Sequence, residues 1–226
     1  MFRNELKGWK TWEVLWLLLA CVTILALSIY WQDTVIGIIS ATTGVACVVC
    51  TGKGKLSAYL FGIINTALYA FIAFKARYYG EVMLNVLYYF PLQFYGLYIW
   101  SKNINPETYE VSKRRMATKE RILLLSAVGV GTALYGLLLQ KLGGALPFVD
   151  ALSTMVSVVA MIVSIKMFVE QWMLWIIVDA VTVAMWAIAF ARGNDSIATL
   201  IMWLIYLGNA IIMHFKWAKE ARENAI

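Results

Sequence analysis

Trp172, Trp175 and Asp179 fall at i, i+3 and i+7 of one apolar run, so they share a face of a helix. Asp179 lies eight residues in from Gln171. A carboxylate at that depth in a membrane costs a few kcal/mol on insertion scales, and a residue that persists there ordinarily has a task. Trp faces attract a cation by about 0.5–2 kcal/mol. They also stack on planar rings. Trp172 alone would read as an interfacial belt residue. Trp175 and Asp179, deeper on the same stripe, favour a pocket.

A second stripe runs through 82–100. Asn85, Tyr89, Gln93, Gly96 and Trp100 fall within about 80° of arc at 100° per residue. Amides in lipid bind either a neighbouring helix or a solute. Pro91, in mid-span, frees a backbone carbonyl and permits a bend. In 148–168, Asp150, Ser153, Thr154, Ser157 and Ser164 form a small polar face. Close helix packing accounts for such a face as well as binding does, except at Asp150 and Thr154, which are read as binding. Asn65 and Tyr69 complete the set. The expected site is an aromatic chamber with amides, hydroxyls, one or two carboxylates and neither Lys nor Arg. A phosphate or carboxylate ligand wants a cation or a helix N-terminus; this chamber suits a neutral or cationic polar molecule.

The elements that hold these residues are membrane helices. Of 226 residues, 62% are hydrophobic and 14% charged, against about a quarter charged in soluble domains. A spanning helix needs roughly 20 apolar residues, and eight runs qualify: 13–31, 34–51, 56–75, 82–100, 121–140, 148–168, 172–191 and 197–215. Backbone polar groups in lipid must be satisfied within the segment, which makes these runs helices. The first run ends Tyr30-Trp31-Gln32-Asp33 with no small-residue cleavage pattern, and is read as a retained anchor. With both termini on one side, that side gathers fifteen of the nineteen Lys and Arg residues. The other has Lys75, Arg77, Lys141 and Arg192. This bias puts both termini in the cytoplasm. The long basic loop 101–120 is then cytoplasmic, with Lys113-Arg114-Arg115 as a topology anchor near anionic lipid, not a nucleic-acid site.

A shift of 114 residues lays 36–75 on 150–189, with Ser40 on Thr154, Phe61 on Trp175 and Asn65 on Asp179. Three more residues bring Tyr89 onto Tyr206 and Trp100 onto Trp217. The chain thus divides into a tail and extra helix (1–33), a three-helix repeat (34–100), a loop and linker helix (101–147), a second repeat (148–217) and a cytoplasmic tail (218–226). The fold class is an all-α integral membrane protein: eight transmembrane helices, a 3+1+3 parallel-repeat core plus an extra N-terminal helix. In transporters of that kind the site lies between the repeats near the midplane.

The runs LNVLYYFPLQFYGLYIWSKN (84–103), DALSTMVSVVAMIVSIK (150–166) and EQWMLWIIVDAV (170–181), with a Trp closing the last span at 217, resemble the PnuC family of bacterial vitamin transporters. The most specific part is the Trp-x-x-Trp-x-x-x-Asp/Asn pattern after Glu170. The resemblance covers 34–217 and not the first helix. It implies seven core helices in two three-helix units, a fold similar to the SWEET sugar transporters, and a homotrimer in the bacterial inner membrane. It implies import of nicotinamide riboside by facilitated diffusion, with phosphorylation by a cytosolic kinase trapping the substrate; relatives carry thiamine or riboflavin. Nicotinamide riboside has a cationic pyridinium ring, a carboxamide and a ribose, which Trp172, Trp175, Asp179, Asn85 and Gln93 are suited to hold. The family often has Asn where Asp179 stands.

An intramembrane enzyme is the rival class. It wants a nucleophile with a base, or metal ligands, at depth. The sole histidine, His214, falls at the end of the last span, and Gly52-Lys53-Gly54-Lys55 is no phosphate-binding loop. Cys21, Cys47 and Cys50 have no metal-ligand spacing. No cofactor is expected.

Overall fold

A computed structural model describes residues 5, 7–143, 147–193 and 197–223. The chain is helical: α1 (Thr11–Tyr30), α2 (Val35–Lys53), α3 (Ser57–Lys75), α4 (Tyr79–Met83), a π-helical segment (Leu84–Tyr89), α5 (Phe90–Ser101), α6 (Thr118–Lys141), α7 (Pro147–Ile165), α8 (Gln171–Ala191) and α9 (Ile197–Glu223). Seven helices among the described residues are long and apolar enough to cross a membrane. Arg3, counted above in the charge bias, lies outside the described residues.

Local chemistry sets the ends. The Glu13 carboxylate accepts from Lys10 N at 2.8 Å, closing the first turn of α1. The Thr34 hydroxyl accepts from Gly37 N at 3.0 Å and starts α2. Gly54, at φ 80°, ends it in the left-handed conformation that glycine adopts freely. The Asp33 carboxylate accepts from Ala198 N at 2.7 Å, tying the α1–α2 turn to the first turn of α9.

The span expected over 82–100, with a bend permitted at Pro91, runs α4–π–α5 without interruption from Tyr79 to Ser101. Pro91 lies two residues past the end of the wide turn. It cannot donate to the carbonyl four residues back, and its ring crowds that carbonyl, so the preceding turn opens. Helix α9 extends eight residues beyond the expected end at 215. Its last turns carry Lys216, Trp217 and Glu220 into polar and ionic contacts.

Helix α2 packs on α3 and α9; α3 on α4 and α5; α7 on α5, α6 and α8; and α8 on α9. Trp217 Nε1 donates to Gly52 O at 2.7 Å, at the end of α2. Trp100 Nε1 donates to Ile165 O at 3.2 Å, at the end of α7. Both indoles are fully buried. Helix α1 lies against α2 and α9, with Ala20 and Ile24 in the core and Trp16 Nε1 donating to Asn209 Oδ1 at 3.4 Å. Helix α6 leaves Leu123, Val130, Leu134 and Leu137 exposed, as a lipid-facing helix does.

The 102–117 segment is an ordered strap rather than a free basic loop. Val111 N donates to Gly54 O at 3.0 Å, and Arg114 N to Met167 O at 3.0 Å. The strap therefore joins the α2–α3 and α7–α8 turns. Lys113, expected near lipid headgroups, is buried between Glu110 (2.6 Å) and Glu220 (3.1 Å). Lys53 bridges Glu110 and Glu13, both at 2.9 Å. Burial pushes the Glu110 carboxyl up, but Lys113 and Lys53 outweigh it and hold the group below the usual Glu value. A carboxyl lowered by folding stabilises above its unfolded value, and that contribution fades as pH falls through the folded value. The protection factors of the Val111, Arg114 and Val169 amides, corrected for intrinsic exchange, are expected to stay flat from pH 8 to about 5 and to fall below about 4. Flat protection through pH 3 contradicts the ionic tether.

Candidate functional site

A cavity of about 140 Å³ opens among α2, α3, the α4–π–α5 helix, α7, α8 and α9. Seven of the nine expected site residues line it: Asn65, Asn85, Tyr89, Gln93, Trp172, Trp175 and Asp179. Helix α8 is regular over Gln171–Ala191. The Trp172–Trp175–Asp179 stripe therefore keeps the face that 3.6-residue periodicity assigns to it.

The Trp175 ring faces Tyr89 across the bundle, with centroids 6.2 Å apart and planes at 47°. The pair forms an aromatic wall from two elements far apart in sequence. Trp172 packs edge-on against Trp217 at 5.5 Å. Its Nε1 and the Tyr59 hydroxyl have no hydrogen-bond partner among the described residues. Both residues line the cavity where α3 and α8 begin. Asp179 is 3% exposed.

The amides divide by what they already hold. Asn65 Nδ2 donates to Ser40 O at 2.8 Å, and its Oδ1 accepts from the Tyr206 hydroxyl at 3.4 Å. Asn85 Nδ2 donates to Glu81 O at 2.8 Å, leaving its Oδ1 for other contacts. Among the described residues Gln93 makes a single, long hydrogen bond, Nε2 to Thr66 Oγ1 at 3.5 Å. Gly62 gives Gln93 its room: a Cβ there would stand 2.4 Å from Gln93 Oε1. Gly62→Ala should push this amide aside at little cost to the fold. We expect about tenfold weaker ligand binding with a melting temperature within a few degrees of wild type. Unchanged affinity would take Gln93 out of ligand contact.

Asp150 and Thr154 do not reach the cavity. Thr154 Oγ1 donates back to Asp150 O at 2.9 Å, and Asp150 is exposed in the first turn of α7. The cavity meets the same helix lower down, at Ser157, Met161 and Ser164. Periodicity fixes a face and not a depth, and these two positions lie one and two turns too far toward the helix start. Ser157 and Ser164 had been as well explained by packing. Sequence reasoning also passed over Glu81, Thr66, Thr182, Trp203, Tyr206 and Asn209 on the wall. Tyr206 carried a signal as the repeat partner of Tyr89, and Thr182 as the position three after Asp179.

The wall has two carboxylates, Glu81 and Asp179, and no Lys, Arg or His among its described residues. None of the ion pairs among the described residues includes either acid. No group of three or more His, Cys, Asp and Glu among the described residues is placed to hold a metal ion. The arrangement can hold a polar, ring-bearing solute and disfavours a multiply charged anion.

Residues 34–219 match the family model described as nicotinamide mononucleotide transporter. The chain is 37% identical to the nicotinamide riboside transporter PnuC of Neisseria mucosa, over 99% of this chain and 87% of that protein. It is 32% identical to the PnuC of Haemophilus influenzae, over 94% and 92%. A crystal structure of the vitamin B3 transporter PnuC superposes with a TM-score of 0.88 at 36% identity, covering 98% of this chain and 97% of that one. The membrane-spanning composition, the Trp-walled cavity and near end-to-end similarity agree: this chain belongs to the nicotinamide mononucleotide transporter family, the family of the PnuC proteins, and is a multi-pass membrane transporter.

Proposed function

We propose that this chain carries nicotinamide riboside, in its unphosphorylated form, across the bacterial inner membrane. One observation supports the choice. The family model is described by the mononucleotide and the relatives by the riboside. The two ligands differ by a phosphate, which wants Lys, Arg or a helix N-terminus. The described wall has two carboxylates and no cation. In this reading Trp175 and Tyr89 face the pyridinium ring, Asp179 balances its charge, and Asn85, Gln93, Trp172 and Asn65 hold the carboxamide and ribose. Asp150 and Thr154 are left out of the proposed contacts. Thiamine is the second reading, because its thiazolium ring is also a cation that two carboxylates would favour; riboflavin lacks that charge. His214 is not on the cavity wall, and an enzyme reading gains no support there.

The α4–π–α5 helix is the eighth span in this reading. The core is two like-oriented triplets, α2 to α5 (34–100) and α7 to α9 (148–217), as in SWEET-like folds. They are joined by the loop and linker helix α6 (101–147), with α1 and its tail (1–33) outside. The crossed pairing supports it: the third helix of each triplet packs on the first of the other, and repeat-related Trp100 and Trp217 cap those first helices. The charge bias supports cytoplasmic termini, including the tail 218–226. The apolar face of α6 would meet lipid or neighbouring copies in a homotrimer.

Transport is by facilitated diffusion, and a cytosolic kinase traps the product. Proteoliposomes holding the purified protein should equilibrate labelled riboside and stop at the external concentration. Accumulation above it under an imposed proton or sodium gradient contradicts facilitated diffusion, and no uptake above empty liposomes contradicts transport of riboside.

A further inference from the structure

Glu81, Asn85, Tyr89 and Gln93 are spaced by four and all line the cavity. A straight α-helix cannot do that well. Each four-residue step advances 40°, so Gln93 would stand about 120° from Glu81. The π-helical segment Leu84–Tyr89 lies between them. Its wider turn rotates each residue by less than 100° and draws the four back into line. Such segments recur at functional sites. Here its effect is to turn a carboxylate toward the cavity.

Asp179 sits midway along α8 and Glu81 in α4, both on the cavity wall. Both lie within electrostatic reach of Tyr89, whose ring meets Trp175. Neither is in an ion pair among the described residues, and the described wall has no cation. An ionised carboxylate is costly in a poorly solvated space, and a positively charged ring beside the two acids relieves that cost at each. A neutral ring of the same shape relieves neither.

We propose that Glu81 is a specificity-determining residue of the cavity, acting with Asp179 to hold a ligand with a permanently cationic ring over its neutral counterpart. The inference rests on the riboside reading and adds a charge requirement to it.

Calorimetry on the purified full-length protein tests it, with nicotinamide riboside and its reduced dihydro form, which keeps the carboxamide and ribose but has no ring charge. Wild type should prefer the cation by tenfold or more. Glu81→Gln should weaken the cation about tenfold and change the neutral form less than twofold. Glu81→Asp keeps the charge and should keep most of the preference. Equal losses on both ligands, or an unchanged cation affinity in Glu81→Gln, overturn the inference while the riboside reading stands. A wild type that binds neither ligand overturns both. Should Glu81→Gln not yield folded protein, Glu81→Asp decides: retained preference supports the charge role, and parallel loss on both ligands overturns it.

Discussion

Trp175→Ala should weaken nicotinamide riboside binding by roughly 10- to 100-fold, about 1.4–2.8 kcal/mol. Two effects add. The indole removes apolar ring surface from water, and a partly desolvated cation over its face contributes up to about 2 kcal/mol. Trp175 is only half-buried and shares its wall with Tyr89 at 6.2 Å. Truncation therefore enlarges the cavity more than it disturbs the core, and the protein should stay folded. Trp175→Phe keeps a ring and should recover most of the loss. Calorimetry of the two variants separates ring contact from generic packing: equal losses in Phe and Ala would show that the aromatic face does not meet the ligand. Trp172→Ala cannot serve the same purpose, because Trp172 is 2% exposed and wedged against Trp217.

Trp217→Ala and Trp100→Ala should each cost about 3–5 kcal/mol, the range for a fully buried Trp. Each also strands a carbonyl: Gly52 O loses its 2.7 Å donor and Ile165 O its 3.2 Å donor. Neither indole lines the cavity, so the deficit should appear as a large fall in the detergent melting temperature. Trp→Phe, which keeps the ring and removes the N–H, should cost less than half as much. Trp100 packs edge-on against Tyr59 and Trp217 against Trp172, but both indoles sit in one buried apolar cluster, so the double variant should depart from additivity. A melting temperature within 2–3 degrees of wild type in either alanine variant would remove the crossed Trp caps as a main source of cohesion.

How far the sequence reached depended on how regular each element is. Helix membership followed from apolar length, because lipid leaves a backbone no other way to satisfy itself. On α8, a plain helix, the stripe Trp172–Trp175–Asp179 arrived where periodicity put it. The α4–π–α5 helix broke that rule. Glu81 fell 40° outside the stripe by straight-helix geometry and one residue before the expected span, so a wall carboxylate was passed over. Asp150 and Thr154 failed for another reason: face is periodic in sequence and depth is not. The strap was illegible in a third way. Lys53–Glu110 and Lys216–Glu13 join residues 57 and 203 apart, and no local pattern announces such pairs. The basic run at 113–115 kept its charge signal, yet Lys113 spends that charge inside the protein.

The most direct measurement sets the riboside and its 5′-phosphate side by side in calorimetry on the purified wild-type protein. A wall with two acids and, among its described residues, no Lys, Arg or His should bind the riboside and hold the phosphate at least 100-fold more weakly. Equal or tighter binding of the phosphorylated ligand contradicts a chamber built for an unphosphorylated cation.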